Sequence, residues 1–191
     1  MMLPKLFLLP LTLFFAFISE NVNAQLVHEA KAGLGVSFLG TGDVLVVKLE
    51  GEAVHRLNRY FSGSLAVGAG YGDSQWYDAS EYATLFSRNA TGHIDGNFFI
   101  SPFGNDRGYH FKVGTGPSLM YVRDQSYRGY PGWRRTDDPP EHRFSSGGSV
   151  IVEQEVRIRQ QYTIGLKTMF QTYLNGDGAI TVLVKVGKLL R

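Results

Sequence analysis

The residues able to do chemistry are few and scattered. Five histidines, His28, His55, His93, His110 and His142, supply the imidazoles. No two stand at the HxH or HxxxH spacing that would give a local metal motif. Cysteine is absent, which removes disulfides, thiolate metal sites and a thiol nucleophile together. What remains are charged groups two residues apart: His93 with Asp95, His110 with Lys112, the series Lys48, Glu50 and Glu52, and the series Glu153, Glu155 and Arg157. In an extended chain that spacing puts both side chains on one face. His93 and His110 could form a pH-sensitive or metal-binding pair, but membership of an interior polar network is the simpler use for them. Ser118 with His110 on one strand, and Glu153 on the next, are the residues a hydroxyl nucleophile would need. Eight residues along a strand is about 26 Å, which excludes direct proton transfer between Ser118 and His110. The sequence therefore predicts no catalytic residue, no metal ligand set and no cofactor. The glycines of GLGVSFLGTG and GAGYG lack the following helix and the GK[ST] ending of a phosphate loop.

The elements that carry these groups are legible from a period of two. In QYTIGLKTMFQTYLNGDGAITVLVKVGKLL, Tyr162, Ile164, Leu166 and Phe170 share one parity, as do Ile180, Val182, Val184 and Val186 beyond Asn175-Gly176-Asp177-Gly178. Alternation of this kind means β-strand, and NGDG between two such runs is a hairpin signal. The same test gives further strands at about 30–40, 44–56, 62–72, 90–101, 107–122 and 145–158, eight with the final pair. Connections alternate in length. GTGD, NGDG and two long loops, Asp73 to Asn89 and Arg123 to Phe144, fall at one end, and only short turns at the other. This is the organisation of a transmembrane β-barrel, so the fold class is all-β, an eight-stranded antiparallel up-and-down transmembrane β-barrel.

Alternation alone does not say which face is wet, and a soluble secreted lipocalin-like barrel binding an apolar ligand has the same period. The side-chain inventory separates the two. The polar face mixes Gly33, Gly35, Gly68, Gly70, Gly114, Gly116, Ser64 and Ser118 with Lys31, Lys48, Glu50, Glu52, Asp95, Lys112, Glu153, Glu155, Arg157, Lys167 and Lys185. The charges there are six positive and five negative, a balance suited to ion pairs inside a lumen barely wide enough for side chains. The other face is Leu, Val, Ile and Phe, with Tyr71, Tyr109, Tyr121, Tyr162 and Tyr173 near strand ends, as in interfacial girdles.

The N-terminus reads as an address. Lys5 precedes an apolar run from Leu6 to Ile18, and Val22-Asn23-Ala24 offers small residues for cleavage. The run is shorter than the roughly 20 residues a spanning helix needs. The expectation is a signal peptide over 1–24 and a barrel domain over 25–191, secreted through the inner membrane to the outer one. With 191 residues and a net charge of +2, the chain shows no basic stripe for nucleic acid.

The stretch GHIDGNFFISPFGNDRGYHFKVGTGPSL, with this parity and strand number, resembles the small outer-membrane β-barrel proteins of Gram-negative bacteria. That resemblance implies both termini in the periplasm, with outer-membrane lipid and the outer-membrane insertion machinery as partners. Many such proteins end on an aromatic residue, whereas this one ends Leu189-Leu190-Arg191. Some small outer-membrane barrels are lipid-modifying enzymes, which keeps that reading open beside a structural, surface-interaction or narrow-pore role. The long loops carry Trp76, Tyr77, Tyr127, Tyr130, Trp133, Arg134 and Arg135. Aromatic and Arg side chains suit an extracellular ligand or protein, and equally suit headgroups and lipid phosphates.

Overall fold

The computed structural model describes residues 29–40, 44–78, 83–103, 108–129, 136–137, 139–159 and 161–190, and within them the side chains outside 75–86 and 126–137. The proposed signal peptide, 1–24, lies outside the described residues. Eight long strands and one short one follow in order: β1 Glu29–Leu39, β2 Val44–Arg56, β3 Phe61–Asp78, β4 Ala83–Ile100, β5 Tyr109–Gly129, β6 Thr136–Asp137, β7 Glu141–Ile158, β8 Tyr162–Tyr173 and β9 Gly178–Leu189. Each long strand pairs antiparallel with its neighbours in the order β4-β3-β2-β1-β9-β8-β7-β5, and a β4–β5 pairing closes the ring. The first and last strands meet with Glu29 opposite Leu189 and Leu39 opposite Ala179. Within the ring each long strand is paired on both sides, so the barrel wall itself has no open edge.

Two turns show how local sequence sets the register. Gly176 takes a φ of 87°, a conformation nearly free for glycine and costly for other residues. Around it the Tyr173 amide donates to the Asp177 carbonyl at 2.9 Å, and Asn175 Nδ2 donates to Asp177 Oδ2 at 2.7 Å. At the opposite end Asn58 Oδ1 accepts the amides of Tyr60 and Phe61 at 2.8 and 2.9 Å, an Asx turn that returns β2 into β3.

The strands are longer than the alternation indicates. β2 pairs with β3 as far as Val47 opposite Tyr71, yet β3 and β4 stay paired from Tyr71 opposite Ala90 out to Asp78 opposite Ala83. β4 follows β5 to Thr84 opposite Gly129, and β5 follows β7 to Asp124 opposite Glu141. A sheet of β3, β4, β5 and β7 therefore continues past the rim, by about 23 Å along β3 at 3.3 Å per residue. The expected loops Asp73 to Asn89 and Arg123 to Phe144 are corrected to extended hairpins, with β6 pairing Tyr127 and Arg128. Beyond the rim the sequence no longer alternates greasy and polar residues, while backbone pairing persists.

Candidate functional site

Side-chain direction divides the barrel cleanly. Leu34, Val47, Leu65, Leu119, Val150, Val184 and Val186 point outward and are exposed, whereas Lys31, Lys48, Glu50, Glu52, Asp95, Lys112, Glu153, Glu155, Lys167 and Lys185 are buried inside. Charged side chains are almost never buried unless paired, and these are paired across the lumen. Lys112 lies 2.5 Å from Glu155, which also holds Lys31. Lys31 reaches Glu153 at 2.7 Å, and Lys185 sits 3.7 Å from Glu153 and 3.7 Å from Glu50 while pairing with Glu52. Lys167 meets Glu50 at 2.7 Å. The chain continues through His93, whose Nε2 is 3.3 Å from Glu50 and 3.5 Å from Asp95. Asp95 Oδ1 accepts from Ser118 at 2.5 Å and from Gln171 at 3.1 Å, and Ser118 shares a 3.1 Å hydrogen bond with Tyr173. Ser64 donates to Glu52, so all eight long strands contribute to one network.

Three features of this interior escaped the sequence reading. Glu29 is fully buried, accepts from Thr163 and lies 3.8 Å from Arg56; it falls one residue before the strand start that alternation indicated. Tyr173 was expected in the outer girdle but is 6% exposed and turned inward, as its odd parity opposite Tyr162 requires. Phe99, Ile151 and Met169 form a buried apolar layer across the lumen, so the interior is not wholly polar. Glycines make room for the larger groups: a Cβ on Gly68 would overlap His93, and one on Gly114 would overlap Phe99.

The candidate catalytic groups are not brought together. Ser118 gives its hydroxyl to a carboxylate, His93 faces two carboxylates, and His110 starts β5 opposite Glu155. His93 stands opposite Met120 on β5, ten residues from His110, so the proposed histidine pair is corrected to two separate sites about 33 Å apart along the strand. A different trio, Glu50, His93 and Asp95, holds its ligand atoms within 4.8 Å of one another. A divalent cation could use that geometry, but Lys167 already pairs with Glu50, and Lys48 acts electrostatically on both Glu50 and Asp95. The ammonium groups supply the positive charge a metal would bring.

The two mouths differ. Towards the short turns a cavity of about 370 Å³ is lined by Arg56, Arg59, Tyr60, His110, Lys112 and Arg157 among others. Arg157, expected within the network, lies instead at this mouth. Towards the long hairpins Tyr121 donates to or accepts from His142 at 2.6 Å and packs on Phe144 with ring centroids 4.8 Å apart. Trp76, Tyr77 and Tyr127 lie on the projecting sheet by backbone position, and Tyr130, Trp133, Arg134 and Arg135 lie outside the described residues.

No family model and no curated protein matches the chain. Solved structures do. The attachment invasion locus protein Ail of Yersinia pestis aligns over 85% of this chain and 98% of its own, with a TM-score of 0.53 at 7% identity. The N-terminal β-barrel domain of Pseudomonas aeruginosa OprF aligns over 86% and 98%, with a TM-score of 0.51 at 10% identity. The fold is that of the small outer-membrane β-barrels. Within that fold this chain fills its lumen with a paired ionic network and two buried apolar clusters, Phe99-Ile151-Met169 and Met120-Val122-Tyr173-Ala179, and the identities are low enough that the resemblance is one of architecture.

Proposed function

We propose that the protein is an integral outer-membrane β-barrel with a closed lumen, serving as a structural and surface-interaction protein. One observation carries this reading: the aliphatic residues form the outer surface and the charges the interior, with Leu34 60% and Val184 58% exposed against 0% for Lys167 and Glu153. A water-soluble carrier needs the opposite arrangement, and among the described residues the interior offers no apolar cavity for a lipocalin-like ligand. Aromatic rings at both ends support girdles at the two interfaces: Tyr60, Phe61, Phe103, Tyr109 and Tyr162 towards the short turns, Tyr71 and Phe144 towards the hairpins. Outer-membrane lipid and the insertion machinery are then the obligatory partners. The projecting sheet, with Trp76, Tyr77 and Tyr127 on its strands, is the surface for an extracellular ligand or protein, and Tyr130, Trp133, Arg134 and Arg135 are proposed to serve it from the sequence that follows.

The filled lumen argues against a pore, since Lys31, Lys185, Glu50 and Glu153 meet across its width with 1% or less of each side chain accessible. A lipid-modifying enzyme is disfavoured by Ser118, whose hydroxyl is directed at Asp95 rather than at an imidazole. Fractionation tests the assignment: retention in the outer membrane with heat-modifiable gel migration is expected, and release with the soluble periplasmic contents would refute it. Planar bilayers should show no conductance steps, and lipid A from cells with and without the protein should have the same acylation pattern.

A further inference from the structure

The mouth beside the chain termini holds a feature that neither the barrel fold nor the surface role requires. The cavity of about 370 Å³ there is lined by Arg56, Arg59, Tyr60, Phe61, His110, Lys112 and Arg157 among others, and among the described residues no Asp or Glu lines it. Its size falls within the range of small-molecule sites. Elsewhere in the lumen positive and negative groups alternate; here the cations converge.

Two of the lining groups have a nitrogen without a partner. His110 is 8% exposed, and its Nε2 has no hydrogen-bond partner among the described residues; the buried Nε of Arg157 has none either. The buried Arg157 Nε–H is a donor without an acceptor, which costs about 1–3 kcal/mol, and the His110 ring presents a second donor in the tautomer that carries its proton on Nε2, so an accepting ligand satisfies both. Lys112 is held by Glu155 at 2.5 Å, and Arg56 lies 3.8 Å from Glu29, so both are fixed in place rather than swinging freely. The Arg59 guanidinium lies 5.1 Å over the Tyr60 ring, which braces the open side. Planar guanidinium forks with an imidazole suit the several acceptor oxygens of a tetrahedral oxyanion.

We infer that this terminus-side mouth is a binding site for a phosphate-bearing ligand, its oxyanion seated on His110 and Arg157. The inner wall of the site is the ionic network itself, so the ligand would dock in a blind vestibule and not pass through. Both a free phosphate compound and a phospholipid headgroup share this chemistry.

The test uses the full chain folded in an uncharged detergent, with heat-modifiable migration confirming the barrel for every variant. Inorganic phosphate is titrated by calorimetry against chloride at matched ionic strength. In a second arm, phosphatidylglycerol or phosphatidylcholine is added and retained lipid is counted by native mass spectrometry. Saturable phosphate binding, weakened about tenfold or more in Arg157→Gln and unchanged in Arg143→Gln at the opposite mouth, supports the site and identifies a free phosphate. Selective retention of phosphatidylglycerol, lost in the same variant, supports it and identifies a headgroup. Should Arg157→Gln fail to fold, Arg157→Lys keeps the charge but loses the fork and is expected to weaken binding as well. Binding no stronger than chloride in the first arm together with no preference in the second, or equal weakening by Arg143→Gln, overturns the proposal.

Discussion

Lys167 on β8 and Glu50 on β2 meet 2.7 Å apart across the lumen, on strands that share no hydrogen bonds, with neither side chain accessible to water. The pair ties opposite walls of the barrel together and is shared: Glu50 also faces Lys185 at 3.7 Å and His93 at 3.3 Å. Removing one member of such a pair strands a charge in a medium that solvates it poorly. Lys167→Met is expected to cost about 3–5 kcal/mol, read as a lower urea midpoint for unfolding in micelles. The double variant Lys167→Met with Glu50→Gln should recover most of that loss, because neither charge is then left alone. A double variant no more stable than the single one would show that the pair does not carry the effect.

The apolar layer gives a steric counterpart. A methyl group added at Gly114 would overlap the Phe99 ring, and Phe99 is 1% exposed. Gly114→Ala is expected to cost about 1–3 kcal/mol, and Phe99→Leu in the same chain should relieve part of it. The readout is the fraction showing heat-modifiable migration after refolding. Equal folding of Gly114→Ala and the parent would contradict the tight fit.

Tyr173 and Tyr162 begin and end the same strand but face opposite ways. The Tyr173 hydroxyl shares a 3.1 Å hydrogen bond with the buried Ser118, whereas Tyr162 is 45% exposed on the outer face. Tyr173→Phe should lower stability by about 0.5–1.5 kcal/mol. Tyr162→Phe should stay within about 0.5 kcal/mol of the parent. The reverse order in chemical denaturation would place Tyr173 outside.

The NGDG turn depends on backbone more than on side chains. Gly176 at a φ of 87° can be replaced only with strain, and Gly176→Val is expected to cost about 1–2 kcal/mol. The unfolding midpoint checks it. The same change at Gly92, where an added Cβ meets nothing within 4 Å, should be much milder.

How much of this was legible in the sequence follows from where a period of two survives. Between the two interfaces each strand has one greasy and one polar neighbour, so Val184 and Lys185 or Leu166 and Lys167 announce their faces without any structure. Past the rim that contrast ends, and the continuation of β3 through Trp76 and Tyr77 to Asp78 left only the polar composition of a loop. Parity also assigned Lys48, Glu50, Glu52, Asp95, Lys112, Glu153, Glu155, Lys167 and Lys185 to the interior, where they are. It could not say which pairs meet, because Lys31 and Glu153 lie 122 positions apart and their contact depends on closure and shear. The cationic mouth was hidden for the same reason: Arg56, His110 and Arg157 come from three strands and share a cavity only once the barrel is round.

Placement in a membrane requires hydrocarbon around the aliphatic face. Leu183 is 0% and Val184 58% exposed, adjacent residues on opposite sides of one strand in a chain without cysteine. Single Leu183→Cys and Val184→Cys variants, folded into bilayers and irradiated with a membrane-dissolved diazirine, whose carbene inserts without needing a thiolate, compare the two faces directly when insertion at each position is read by mass spectrometry. Insertion at 184 with protection at 183 is the predicted result. Protection of 184 from the membrane-phase reagent, with labelling there by a water-soluble maleimide, would contradict it.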